Sequence, residues 1–261
     1  MSVNSYLTSL ASDLVLKGPE KASIATSIST LKSRLSSYFL PNISKQFTFG
    51  SYTRDTILPR KADIYSDVDY MIVFSTSAET YKPQTYLNRL REFATKYYSS
   101  SEISQSNPTI VLELDHIRFE LVPAIYNYQY QIPSPASSWM EWISTDPNGF
   151  NQRLTSANII YKSQIKPLSR LIKYWNALNH YPYESFSIES YIVDSFFGSC
   201  NYLKDFFYYF WDTFSTSYTL AQHIKDKVQR AKARVSLIRQ YEQQQNESAA
   251  EIEIRRLLSP I

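Results

Sequence analysis

Two carboxylates two residues apart, Asp67 and Asp69, open the apolar run Tyr70, Met71, Ile72, Val73, Phe74. In an extended strand such residues share a face and stand about 6.5–7 Å apart, so two like charges sit side by side at the strand's start. Charges that close repel, and a cation held between them removes the penalty. A hard cation with oxygen ligands suits them, and Mg²⁺ usually keeps room for the phosphates of its substrate. Upstream, Gly50 and Ser51 follow the strand-like Lys45 to Phe49. A glycine lets the backbone approach phosphate oxygens closely, and the serine adds a hydroxyl donor. Together the two halves point to a nucleoside triphosphate as guest.

A third carboxylate is available in the phrase FELVPA, where Glu120 lies inside a strand-like run from Ile117 to Val122. A sheet strand rarely keeps a carboxylate at its centre unless something pairs with it. If this strand lies beside that of Asp67, Glu120 completes an acid triad. Glu113 and Asp115 compete for the place but read as solvated residues of a hairpin between Thr109 to Leu114 and Ile117 to Val122.

These residues need elements to hold them. Residues 3 to 14 are weakly amphipathic, and Gly18-Pro19 ends that segment. Ile24, Ile28, Leu31, Leu35 and Phe39 recur at helical spacing from Ala22 to Phe39, and Pro41 stops the run. After the Asp67 to Phe74 strand, a polar loop through Pro83 leads to a helix over Thr85 to Tyr98, then to a Ser-rich loop ending at Pro108. Gln129 to Phe150 reads as an irregular crossing. Beyond it the pattern is helical: Ile159 to Asn179, Ser187 to Tyr202, Lys204 to Phe214 and Leu220 to Gln245. Lys225, Lys227, Arg230, Lys232 and Arg234 give the last of these a basic face, most simply a solvated one. The tail EIEIRRLLSPI is expected to pack on the domain or on a partner. Strands alternating with helices in the first half argue for an α/β lobe, and the second half for an α lobe.

The 261 residues suffice for one large domain or two lobes, and 20% charged with 15% aromatic residues excludes a disordered chain. A net charge of +3 suits a polyphosphate substrate and is too small to predict duplex binding. The single cysteine, Cys200, excludes an internal disulfide, and no Cys/His cluster offers a zinc site. Without a signal-like N-terminus or a long apolar stretch, the expectation is a cytoplasmic protein with no membrane partner.

In this order, GS at 50–51, DVD at 67–69, FELVPA, RLIKYWN and SFSIE resemble the bacterial nucleotidyltransferases related to oligoadenylate synthase and cyclic GMP-AMP synthase (CD-NTase, SMODS), over roughly Ala22 to Tyr202. The resemblance implies a DNA polymerase β-like core, residues 1–145 with the N-terminal helices, and a helical lobe like that of oligoadenylate synthase, residues 146–261, with the active site in the cleft between them. It implies template-independent joining of nucleoside triphosphates, ATP or dATP first among them, into a cyclic or linear oligonucleotide that an effector protein senses in antiphage defence. By position, Gly50 and Ser51 would hold the triphosphate, and Asp67, Asp69 and Glu120 two Mg²⁺ ions, with Mn²⁺ the alternative. Lys173 matches the lysine on the terminal phosphates, Ser185 the phosphate-binding serine and Phe186 the base-stacking aromatic. Read without the family, Lys173 is a solvated helix charge, Ser185 a helix N-cap and Phe186 core. The chain departs from the pattern at Glu120, where many relatives carry Asp, at Phe186 for Tyr, and at Asp55 where Gly is frequent. A transferase acting on tRNA ends or on a protein, and an inactive nucleotide-binding scaffold, are the competing functions, and a nucleic-acid regulator on the basic face is the sharper reading of that helix.

Overall fold

Strand β2 (Asp67–Phe74) sorts its residues strictly by parity. Val68, Tyr70, Ile72 and Phe74 enter the main hydrophobic core, while Met71 and Val73 join a small cluster on the other face, the parity that Asp67 and Asp69 share. β5 (Arg118–Asn127) repeats the division, with Phe119, Leu121 and Ile125 in the main core and Ala124 opposite. The computed structural model describes residues 1–75, 81–134, 141–215, 217 and 219–261. These form two units, Leu16–Arg60 with Tyr65–Gln152, and Met1–Val15 with Lys61–Ile64 and Arg153–Ile261.

In the first unit, β1 (Ile43–Phe49) pairs antiparallel with β2, β2 runs parallel to β5, and β4 (Thr109–Glu113) and β3 (Glu102–Ser106) extend the sheet antiparallel in the order β1-β2-β5-β4-β3. The parallel step needs a crossover, which runs through α4 (Pro83–Tyr97). α4 and α2 (Gly18–Phe39) cover one face, burying Leu31, Leu35, Phe39, Leu90 and Phe93 against it. The expected hairpin between β4 and β5 is present, with Glu113 opposite Arg118.

Three expectations change here. Gly18-Pro19 does not close the first segment but opens α2, since proline fits a helix's first turn, where its missing N–H is no loss. The Ser-rich stretch contains β3, an edge strand whose alternation turns Ile103 to the core and Glu102, Ser104 and Ser106 outward. The supposed irregular crossing contains β6 (Gln129–Pro133) and β7 (Trp142–Thr145), which pair antiparallel at the end of β5 and set Trp142 against Tyr86 at 5.6 Å. Of the loop expected after β2, residues 76–80 lie outside the described residues, as do 135–140 of the crossing.

The second unit is helical, and the chain enters it within α5 (Gly149–Ile160). The helix expected over Ile159 to Asn179 is two, α5 and α6 (Ile165–Leu178). Pro167 lacks the N–H and its ring would strike the carbonyl of Ser163, so the chain turns there, with Lys162 and Ser163 at φ 50° and 64°. α7 (Ser185–Asp194), α8 (Leu203–Thr213), α9 (Gln222–Gln243) and α10 (Glu247–Leu257) follow, around a core in which Trp175 meets Trp211 at 4.7 Å.

The first segment, α1 (Val3–Asp13), belongs to this helical unit and not, as expected, with the sheet. Its apolar stripe of Tyr6, Leu7 and Leu10 is buried, Tyr6 Oη donates to the Leu258 carbonyl at 2.6 Å, and Arg170 Nε donates to the Ala11 carbonyl at 3.2 Å. The tail therefore packs within the domain. The basic face of α9 is partly spent in the same way: Lys227 Nζ donates to the Asn179 carbonyl and Arg234 pairs with Glu253 at 2.8 Å. Among the described residues no helix is long and apolar enough to cross a membrane.

Phe93 touches Tyr38, Phe39, Tyr97 and Tyr98 and has no solvent exposure. Phe93→Ala is expected to cost about 3–5 kcal/mol of stability, measured by chemical denaturation.

Candidate active site

Register decides which side chains meet. In the parallel pair, Asp67 stands beside Arg118 and Asp69 beside Glu120, so the three acids of the sequence reading lie on one face, opposite the covering helices. Glu120 is thus brought to the aspartates. Glu113, its competitor, is on the next strand in register with Arg118 and is not simply solvated: Arg60 forms an ion pair with it. Asp115 lies in the loop between the two strands.

The Glu120 carboxyl sits above the usual carboxylate range, because burial disfavours its charge and the Asp67 carboxylate adds repulsion. Two groups oppose this, the guanidinium of Arg118 at 3.6 Å and the polar Thr109 side chain. Neither is among the candidate site residues of the sequence. Arg118 was legible there, since it shares parity with Glu120 two residues on; Thr109 depends on strand pairing and carries no sequence signal. A set of carboxylate oxygens from adjacent strands fits a hard divalent cation by donor chemistry. Among the described residues no three carboxylate, imidazole or thiol groups already form a ligating cluster, so the fold supplies a shared face and register for such an ion.

The Gly50 turn is fitted to the same acids. Pairing of Phe49 with Asp69 brings β1 to the site, and the chain then enters the single helical turn α3 (Gly50–Thr53). Gly50 has φ 70°, and a Cβ there would lie 1.8 Å from Asp69 Oδ2. Only glycine leaves room for that carboxylate. Ser51 is half-buried beside it, its carbonyl accepting the N–H groups of Thr56 and Ile57. The departure at Asp55 also finds its reason: its φ is 57°, the conformation for which glycine is favoured and which aspartate tolerates better than most residues.

Lys173, Ser185 and Phe186 belong to the helical unit. The reading of each without the family fails. Lys173 is only 6% exposed and its Nζ lies 3.3 Å from Glu189 Oε1, so it is a buried, paired charge and not a solvated one. Ser185 is the first residue of α7, whose N-cap is Glu184. Phe186 is 54% exposed and is not core.

Residues 1–158 match the Second Messenger Oligonucleotide or Dinucleotide Synthetase (SMODS) domain. The chain belongs to this family, with the DNA polymerase β-like nucleotidyltransferase fold and a helical lobe. It is 26% identical over 187 residues to a probable cyclic nucleotide synthase of Bacillus cereus (strain VD146), an alignment covering 57% of this chain and 54% of that protein. The chain therefore spans about half the length of that curated relative. Among solved structures it resembles Escherichia coli MS115-1 CdnC in complex with HORMA-deltaN, with a TM-score of 0.72, 13% identity and coverage of 98% of this chain and 96% of that one. The CD-NTase CdnG of Bradyrhizobium diazoefficiens, in complex with GTP, is similar with a TM-score of 0.68, 12% identity and coverage of 97% and 98%. At these identities the likeness is one of fold.

Two outcomes follow from the geometry. A carboxyl whose folded pKa is raised adds stability below its unfolded pKa, and that stability is lost as pH rises through the folded value. Glu120→Gln is therefore expected to melt higher than the wild type at pH 7, with the difference shrinking below about pH 4.3, as followed by thermal denaturation across pH. Gly50→Ala must accept both a left-handed backbone and a displaced Asp69, and is expected to lose at least about 1 kcal/mol in chemical denaturation.

Proposed function

We propose that this chain is a template-independent nucleotidyltransferase that joins nucleoside or deoxynucleoside triphosphates into a cyclic or linear oligonucleotide second messenger, releasing pyrophosphate. ATP or dATP is the first candidate substrate, the setting is cytoplasmic antiphage defence, and the product's receiver is an effector protein. The observation that carries this reading is the register of Asp69 with Glu120, with Asp67 two residues before on the same face and Gly50 held against Asp69. Membership of the SMODS family supports it.

In this reading Asp67, Asp69 and Glu120 hold divalent cations, Mg²⁺ first and Mn²⁺ as the alternative. Bound there, such ions would lower the pKa of the acceptor 3′-hydroxyl and neutralise the triphosphate and the leaving pyrophosphate. The chain's own groups do the placing. Gly50 allows close approach of the backbone, Ser51 offers its hydroxyl to a phosphate oxygen, and Ser185 offers a second. Phe186, with its ring exposed, provides a surface for base stacking. Lys173 is assigned to the terminal phosphates, with Glu189 beside it orienting the ammonium group. Little covalent work falls to the protein, so positioning and charge stabilisation dominate the rate.

The test is mass spectrometry of products from purified protein given all eight nucleoside and deoxynucleoside triphosphates with Mg²⁺ and no macromolecular acceptor. A small or oligomeric nucleotide product is expected, together with pyrophosphate. Asp67→Asn combined with Asp69→Asn should reduce both to background while leaving the circular dichroism spectrum unchanged. Nucleotide addition seen only on the polypeptide, or only in a second reaction to which RNA is added, would replace this reading with an end-modifying transferase, and no metal-dependent turnover at all would leave a nucleotide-binding scaffold.

A further inference from the structure

The acid face contains a cation of the protein's own. Arg118 stands in register with Asp67 on one side and Glu113 on the other, and two residues before Glu120 on the same strand, so its guanidinium shares a face with four carboxylates counting Asp69. Glu113 is engaged by Arg60. Arg118 turns instead to Glu120, its Nη2 lying 3.6 Å from Glu120 Oε1, too long for a directional hydrogen bond and held by charge alone. Its Nε is buried and has no hydrogen-bond partner among the described residues. An arginine whose purpose is to brace a fold spends its donors in fixed, often bidentate bonds; this one keeps a buried donor unspent and its ion pair loose.

We propose that Arg118 is an internal counter-charge to the acid face and competes with the divalent cation for Glu120. This rests on the reading above that Asp67, Asp69 and Glu120 bind such ions. The guanidinium offsets repulsion among the acids, and a divalent ion on the same carboxylates must work against a fixed positive charge on the neighbouring strand position. Removing that charge has two opposite consequences. The protein without divalent ions loses stability, because Asp67 and Glu120 lose their compensation. Binding of a divalent ion tightens, because one competitor is gone. A side chain that only braced the sheet would lower stability equally in both conditions.

The experiment is thermal denaturation of the full chain without nucleotide, first in chelator and then over a Mn²⁺ titration, for wild type, Arg118→Gln and Arg118→Lys. Arg118→Gln is expected to melt about 2 °C or more below wild type in chelator. Its half-stabilising Mn²⁺ concentration is expected to fall about threefold or more. Arg118→Lys keeps the charge and should titrate within about twofold of wild type. A smaller fall for Arg118→Gln, a rise, or an equal loss of melting temperature with and without Mn²⁺ overturns the proposal. If the Gln variant is too unstable to handle, a shift of fivefold or more for Arg118→Lys overturns it and a wild-type titration supports it. The Asp67→Asn, Asp69→Asn double variant keeps the two readings apart. Should Mn²⁺ stabilise it as well as it does the wild type, the acid face is not the ion's site and the proposed function fails at its root.

Discussion

The pairing of β2 with β5 is the constraint on which the rest depends. Side chains alternate across a strand, so a slip of one residue would carry Glu120 and Arg118 to the core face and bring Phe119 and Leu121 out of it. Register and core therefore enforce each other. Val68 and Phe119 must both be buried, and satisfying that condition turns Asp69 and Glu120 to the same opposite face, where the observed register sets them side by side. The site's geometry is in this sense a by-product of hydrophobic burial on the opposite face.

The same pairing creates an electrostatic problem. Like charges on adjacent strands repel, and partial burial strengthens the effect by lowering the local dielectric. The molecule answers with guanidinium groups, Arg60 on Glu113 and Arg118 on Glu120, and with the Thr109 hydroxyl. The answer is incomplete at Glu120, whose carboxyl remains above the ordinary range. A group that stays costly to ionise in the folded protein is one that gains from an added cation, and such tension belongs at a site meant to bind one.

Much of this was legible in the chain itself. Asp67 and Asp69 at strand spacing, Gly50 ahead of them and a carboxylate inside an apolar run carry local signals, because parity and burial are properties of short segments. What escaped depends on partners far away in sequence. β6 and β7 look irregular until each is seen to have the other, and β3 is too polar to read as a strand without β4 beside it. Lys173 on its helix looks like a surface charge because its partner Glu189 lies on another one. The break before α6 was visible in principle, since Pro167 demands it, but the apolar spacing through RLIKYWN hid the interruption.

The helical unit is assembled from both ends of the sequence, with α1 lodged among α6, α8 and α10. During synthesis the residues of α1 emerge ahead of α6, α8 and α10, and their docking is complete only when the segment containing Leu258 has left the ribosome. The sheet unit, with its last residue at Gln152, meets no such delay. The sheet unit can thus fold before the helical one, with α1 left as a hydrophobic stretch that chaperones can hold until its docking surface exists.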